Sequence, residues 1–433
     1  MSTLEKRISI QEELLRSLTD YKEKVGFVSD NELSKSLQFI EEHHLPDTKN
    51  EEYKYCNVQA LLKKNFSSFQ AASYQAEKKE VEKLFLSDCL NLVLVNGNYV
   101  PELSDNVSEE KGLQVSSLQE MPDHFKQTHF SNYLRERTDF FEALTTAFSG
   151  RGICIYYKKN SVCSKPIHVI HWNGSDQNAA LAHRNFIVVD ENAQAELIES
   201  SYSLTGSSIF SSQLSEIKVA NSASLNHYRL QDSGDHSYQV NNCFVYQDTR
   251  SFYANHSFIF SGELQRNNLE VSLNGEHAET KLNGLFVTNK NQLVDNHTVV
   301  DHRVPNCNSS ELYKGILSGK SNGVFNGKIF VQKDAQKTNA YQSSKNMLLS
   351  DDASINTKPQ LEIYADDVKC SHGTSTGMID EDALFYLKAR GIGDKAAKQL
   401  LLSAFGSELI ESLPEFAFRE KVKELFEASL NAI

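Results

Sequence analysis

The sequence predicts a mainly β protein, with a repetitive β core held between helical ends. Three observations predict this. From about residue 151 to 370, β-branched and aromatic residues alternate with polar ones in short runs, among them "ICIYY", "IHVIHW", "FIVVD", "AELIES", "CFVYQ", "SFIFSGEL", "LFVTN", "KIFVQ" and "LEIYADD". That is the period-two pattern of strands with unlike faces. A weak repeat runs through the same stretch: polar residues, an alanine, then alternation, at Ala193, Ala223, Ala278, Ala335 and Ala353. The gaps are 30, 55, 57 and 18, so two are near twice a step of under thirty residues. "LNGLFV" (282–287) and "FNGKIFV" (325–331) echo each other as well. Repeats that share a phase favour stacked coils, a β-solenoid, over a β-sandwich, which would also supply many short strands. Finally, both flanks change to helical spacing.

At the N-terminal end, Leu4, Ile8, Ile10, Leu14, Leu15 and Leu18 fall near helical spacing with charges between them. Pro46 breaks the pattern and "VQALLKKNF" resumes it. "LVLVNGNYVPEL" (92–103) places Asn96-Gly97 between two apolar runs, which predicts a tight hairpin because both residues tolerate positive φ. "DFFEALTTAFSGRG" (139–152) reads as a helix closed by glycines. The body then predicts strands of four to six residues. After Gly377, "DEDALFYLKARG", "DKAAKQLLLSAF" and "EFAFREKVKELFEASLNAI" predict three amphipathic helices, split by Gly406 and Pro414, the last with Phe418, Val422, Leu425, Phe426 and Leu430 on one face. The divisions are a helical N-terminal domain with a small hairpin (1–148), the β core (149–372) and a helical C-terminal domain (373–433).

The bulk numbers bound the function. In 433 residues, 39% hydrophobic and 23% charged, core-forming material is ordinary. A formal net charge of −13 argues against nucleic acid as the main partner, since phosphate contacts need clustered Lys and Arg. The N-terminus has no apolar h-region and no stretch of 18 apolar residues occurs, so a cytoplasmic protein without a membrane span is expected. The seven cysteines are an odd number, widely spaced and without a CxxC pair, which favours a reducing compartment.

Few motifs carry chemistry. "GILSGKS" (315–321) has three residues between its glycines where a phosphate-binding loop needs four, and no helix follows, so a turn between strands is expected. "DNHTVVDHRVPNC" (295–307) contains Asp295, His297, Asp301, His302 and Cys307, all able to bind metal. The odd separation of His297 and His302 points them to opposite strand faces, and hydrogen-bonded polar residues are the expected reading. Cys154, Cys163 and Cys243 lie in alternating strands and read as structural thiols. There is no nucleophile elbow, Rossmann glycine signature or zincin histidine pair. Cys370 and His372, two apart at a strand end, face the same side and could hold one ion. Two ligands do not close a site, and no nearby residue completes it.

"NTKPQLEIYADDVKCSHGTSTGMIDEDALFYLKARGI" (356–392) closely resembles the signature of the SufB/SufD family, the scaffold components of the SUF iron–sulfur assembly system. "DNHTVVDHRVPNCNSSELYKGIL" (295–317), "GVFNGKIFVQKDAQKTNAYQSSKNMLLS" (323–350), "NEEYKYCNV" (50–58) and "VNGNYVPELS" (95–104) are similar to its other segments. Cys370-Ser371-His372-Gly373 is the form of the SufD branch. The resemblance implies a right-handed parallel β-helix flanked by helical regions. It implies a non-enzymatic scaffold that pairs with a SufB-like chain and binds a SufC-like ATPase through its C-terminal helices, where Phe385, Tyr386, Leu387 and Arg390 are the candidates. It implies that His372, with Cys370, contributes to a transient iron–sulfur cluster at the SufB interface, none being stably bound by the isolated chain. A homodimer in isolation, a SufB-like scaffold receiving sulfur at Cys243 or Cys307, and a β-helix carbohydrate-active enzyme are the alternatives.

Overall fold

The computed structural model describes residues 30–65, 76–129, 133, 139–148, 150–203 and 206–433. The helical pattern expected over residues 4–18 lies outside them. Among the described residues nineteen strands, β1–β19 in chain order, divide between two sheets so that successive strands of the body alternate from one sheet to the other. The first sheet holds β1 (Leu90–Val95), β2 (Asn98–Tyr99), β5 (Ile167–Asn173), β7 (Gln194–Ser203), β9 (Ser224–Gln231), β11 (Phe252–Ile259), β13 (Glu279–Thr288), β15 (Asn308–Leu317), β17 (Asn339–Leu348) and β19 (Lys369–Gly377). The second holds β3 (Leu113–Ser117), β4 (Ile153–Tyr157), β6 (Ala179–Val189), β8 (Ile209–Val219), β10 (Ser237–Gln247), β12 (Leu264–Leu273), β14 (Leu293–His302), β16 (Asn322–Val331) and β18 (Ser354–Ile363). Within each sheet the body strands pair in parallel. The fold is thus a parallel β-solenoid of about eight turns with helices at both chain ends.

Coil follows coil because one turn recurs. A residue with positive φ precedes a small buried one at Asn192-Ala193, Ser222-Ala223, Arg250-Ser251, His277-Ala278, Asn306-Cys307 and Lys337-Thr338. The amide of the first residue donates to the turn of the next coil, as in Asn192 to Asn221 and Ser222 to Thr249. The small side chain fits beneath its copy in the neighbouring coil. This turn explains Ala193, Ala223 and Ala278. Ala335 and Ala353 belong to other turns, and Ser251, Cys307 and Thr338 occupy the true positions, so the alanine spacing marks the repeat only in part.

The strands are longer than the four to six residues expected, eight to eleven in most of the body. The apolar runs mark only part of each strand. The remainder carries inward-facing polar side chains, whose amides bond along the solenoid axis, Asn241 to Asn267 at 3.0 Å and Asn267 to Asn296 at 3.2 Å, or across to the facing sheet, Gln231 to Gln239 at 2.9 Å. Part of the interior is apolar, built on residues such as Leu197, Leu225, Ile217, Val245, Val271 and Leu282. The rest is polar, where most buried groups are hydrogen-bonded. The central example is Glu199. Its Oε1 accepts from His171, Asn185 and Gln213 and its Oε2 from His227 at 2.8 Å, with Arg229 3.9 Å away. Burial disfavours its charge, yet the hydrogen bonds from His171 and His227 hold the carboxyl well below the usual range.

The helices cover the two outer faces. At the N-terminal end, α1 (Asp30–Glu42), α2 (Val58–Asn65) and the later α5 (Phe140–Ala147) lie over the second sheet, where Ile40, Leu62, Phe141 and Leu144 share a core with Phe210, Tyr238, Val240 and Leu264. Between them come two short helices, α3 (Lys78–Val81) and α4 (Asp123–His129). Asp139 caps α5 by accepting from the amides of Phe141 and Glu142. The predicted hairpin is present, with β2 antiparallel to β1 and Asn96 and Gly97 at φ 51° and 79°. At the C-terminal end, α6 (Glu381–Ala389), α7 (Asp394–Glu411) and α8 (Ala417–Asn431) follow β19. Leu402, Leu409, Ile410, Phe418, Val422, Phe426 and Leu430 pack on Ile198, Tyr228, Leu230, Phe258 and Leu285 of the first sheet. Gly406 does not split α7: the helix runs through it, and the missing side chain makes room for the Phe426 ring. Lys314 fastens this layer, donating to the Phe405 carbonyl at 2.8 Å and pairing with Glu408 at 2.5 Å.

Candidate functional site

The two ends of the solenoid differ. At the start, β2 and β3 join their sheets antiparallel to β1 and β4. At the finish, β18 and β19 are the edge strands of the two sheets, and among the described residues nothing pairs beyond them. Interior positions that are buried in every earlier coil are therefore open here. In β17, Ala340, Gln342, Ser344 and Asn346 are buried, while their register partners in β19 are Cys370, His372, Thr374 and Thr376. Of these, Cys370 is half-buried and the other three are exposed. The lip opposite comes from β18, where Thr357 accepts from Thr374 at 3.1 Å.

Cys370 and His372 thus stand together at this mouth, on one face of one strand, as their spacing requires. Their environments differ. Cys370 packs with Val368 and Leu361 against Ile329, Val331 and Ala340, and burial pushes its thiol up. His372 is exposed, and a side chain added at the neighbouring Gly373 would meet nothing within 4 Å. A neutral imidazole offers a lone pair at once, whereas the thiol must first lose its proton to bind metal. Among the described residues no group of three or more His, Cys, Asp or Glu side chains could hold a metal ion, so the mouth is a partial ligand set.

The other candidates are dispersed. Asp295 and His297 face outward from β14, and His302 faces inward and bonds Ser309 at 2.9 Å. Asp301 pairs with Arg303 at 2.6 Å. Cys307 is the small residue of a coil turn, fully buried, with its thiol pushed up by burial. Cys154 and Cys243 are buried and Cys163 half-buried, and burial raises the thiols of Cys154 and Cys243 to about 12. "GILSGKS" ends β15 and turns at Gly319, φ 64°.

The C-terminal candidates fall on α6 and its C-cap Arg390, with three residues between β19 and the helix. Asp380 caps it, accepting from Asp382 and Ala383. None of its residues is buried: Phe385 is 73% and Tyr386 58% exposed, the Arg390 guanidinium lies 5.1 Å over the Tyr386 ring, and Leu387 is half-buried. Two aromatic rings left in water on a well-formed helix are uncommon for a chain that functions alone.

Two features escaped the sequence reading. One is a clamp on the outer face of the second sheet. Glu52 takes a 2.5 Å bond from Lys328 and lies 3.3 Å from His297, its carboxyl held at about 2 by the His297 hydrogen bond against burial and with help from Lys328. Its backbone carbonyl accepts from Arg266, which pairs with Asp295, and Glu51 reaches Lys358 at 2.8 Å on the last coil. Cavities of about 330 Å³ and 150 Å³ flank this clamp. The other is an interior column leading to the mouth, Leu282, Glu311, Gln342 and His372, in register across β13, β15, β17 and β19.

Comparison with known proteins identifies the family. The family model of the SUF system FeS cluster assembly SufBD core domain matches residues 171–405, and that of the SufBD protein N-terminal region matches residues 21–169. The iron–sulfur cluster assembly protein SufD of Escherichia coli is 34% identical over 395 residues, covering 89% of each chain. The chain belongs to the SufB/SufD family, in its SufD branch. An iron–sulfur cluster assembly SufBD family protein of Synechocystis is 29% identical over 88% of this chain and 86% of its own. The chloroplastic protein ABCI7 of Arabidopsis thaliana is 28% identical over 87% of this chain and 81% of its own. The chain is therefore a SUF-system iron–sulfur assembly protein, and its Escherichia coli and Synechocystis relatives are named as assembly proteins. No helix among the described residues is long and apolar enough to cross a membrane.

Proposed function

We propose that this chain is a non-catalytic, cytoplasmic scaffold subunit whose open solenoid end pairs with a SufB-like chain. At that junction His372, and Cys370 where it is deprotonated, hold part of a transient iron–sulfur cluster. The observation that carries this reading is the placement of both ligand types at the uncapped mouth. Free edges on β18 and β19 favour strand addition by another chain, and a partner seated there would supply the missing ligands. The cluster is cargo: an incomplete site binds it only while two chains meet, which suits assembly followed by release.

The exposed face of α6, with Phe385, Tyr386, Leu387 and Arg390, is the docking surface for a SufC-like ATPase. It follows β19 directly, so movement of a bound ATPase is transmitted to the mouth with little intervening chain. The deep burial of Cys243 and Cys307 favours this scaffold reading over one in which they accept sulfur.

The test is co-expression with SufB-like and SufC-like subunits, anaerobic cluster reconstitution, and comparison of wild type with His372→Ala. Loss of cluster from an intact complex is expected. Full cluster yield in the His372→Ala complex would remove the ligand role.

A further inference from the structure

The mouth histidine does not stand on an inert surface. Directly beneath it in the interior column lies Gln342, 3% exposed, and beneath that Glu311, 4% exposed. Glu311 Oε2 accepts two hydrogen bonds, from Thr298 Oγ1 at 2.9 Å and from Gln342 Nε2 at 3.0 Å. Because Glu311 accepts at that oxygen, the Gln342 amide must turn its NH₂ inward. Its Oε1 is then left buried with no hydrogen-bond partner among the described residues. A buried carbonyl oxygen without a donor is costly, about 1–3 kcal/mol as a class, so the arrangement calls for a donor. Space for the amide is kept by Gly327 on the facing strand β16, where a side chain would collide with Gln342. The residue on the next strand in register with Gln342, on the same face, is His372.

We propose that Gln342 is a positioning residue for His372: its Oε1 accepts one imidazole N–H, while Glu311 and Thr298 hold the amide in the orientation that allows this. The other ring nitrogen is then fixed as the lone-pair donor, directed toward a metal ion delivered with the partner chain. Histidines that bind metal commonly donate their second N–H in this way, and removing the acceptor typically weakens the metal by about 10–100-fold. Glu311 sits too deep to touch the metal and acts through Gln342. This inference rests on the ligand role of His372, but its first readout does not involve iron.

The experiment is ¹⁵N NMR of the full chain labelled in its histidine rings, with the His372 signals assigned by their absence in His372→Ala. In wild type, His372 is expected in one dominant tautomer. Gln342→Met, similar in volume and without an acceptor, is expected to return it to the tautomer ratio of free histidine. Glu311→Gln, which keeps an acceptor for Thr298 and Gln342, is expected to retain the single tautomer. A free-histidine ratio already present in wild type overturns the proposal, and this measurement decides the matter even if Gln342→Met fails to fold. An unchanged tautomer in folded Gln342→Met overturns it too. In the assembled complex, Gln342→Met is expected to weaken ferrous iron about 10–100-fold. Iron retained by His372→Ala would refute the ligand role separately, leaving the tautomer result intact.

Discussion

Glu311 makes a quantitative prediction about stability. It is fully enclosed, and burial pushes its carboxyl from the ordinary 4.5 up to about 7, opposed by hydrogen bonds from Gln342 and Thr298. Among the described residues no cation pairs with it, unlike Glu199 beside Arg229. The folded state therefore binds the proton more tightly than the unfolded chain. Its contribution is fully present below about pH 4.5, is lost as pH rises, and is gone above about pH 7. A gap of about 2.5 pH units at 1.36 kcal/mol each amounts to roughly 3 kcal/mol. Glu311→Gln cannot ionise. It still accepts from Thr298 and Gln342, but leaves its own NH₂ without an acceptor, at a cost of about 1 kcal/mol. The variant should thus be slightly less stable than wild type at pH 5 and about 2 kcal/mol more stable at pH 8. Urea denaturation followed by circular dichroism at pH 5, 6, 7 and 8 measures this. In thermal scans the difference is only about 2 °C, because the unfolding entropy of a chain this long is large. A wild-type minus variant difference that stays constant from pH 5 to 8 would show that Glu311 is ionised throughout, and the reasoning would fail.

Other perturbations separate structural from interaction roles. Phe385→Asp with Tyr386→Asp should leave stability within about 0.5 kcal/mol, since both rings are exposed. Binding to a SufC-like ATPase, measured by calorimetry, should weaken roughly 30-fold or more if these rings are the anchor. Arg184 and Glu216 form a fully buried ion pair, so Arg184→Met alone should cost about 3–5 kcal/mol in denaturant titrations, and adding Glu216→Leu should recover most of it. Gly275→Ala would press a methyl group onto the backbone of Thr249, which cannot yield, whereas Gly373→Ala meets open space. Soluble expression and melting temperature should fall sharply for the first and stay unchanged for the second.

The β character, the coiled repeat, the hairpin and the three C-terminal helices were legible because each depends on local pattern. Cys370 and His372 were legible as a same-face pair for the same reason. That they sit at an open mouth was not, because it depends on which coil is last and on register with Ala340 and Gln342. The coil turn was half-visible: three positions carry alanine, but Ser251, Cys307 and Thr338 fill the same place and hide the period. The column beneath His372 could have been found, since Glu311, Gln342 and His372 are separated by 31 and 30 residues, close to one coil. The clamp from Glu51 and Glu52 could not. Its partners lie more than 200 residues away, and no periodicity links a loop to a distant sheet face.

The unlike ends of the solenoid also limit how far the protein can polymerise. A rod that could be extended at both ends would add copies head to tail without closure and grow into a fibre. Here the two sheets start with the short strands β2 and β3, laid antiparallel to their neighbours, so the long parallel edges of β18 and β19 meet no matching parallel edge on the start of another copy. Head-to-tail continuation of the solenoid is thereby disfavoured. The pairing proposed above joins two finishing ends and leaves no finishing edge for a third chain.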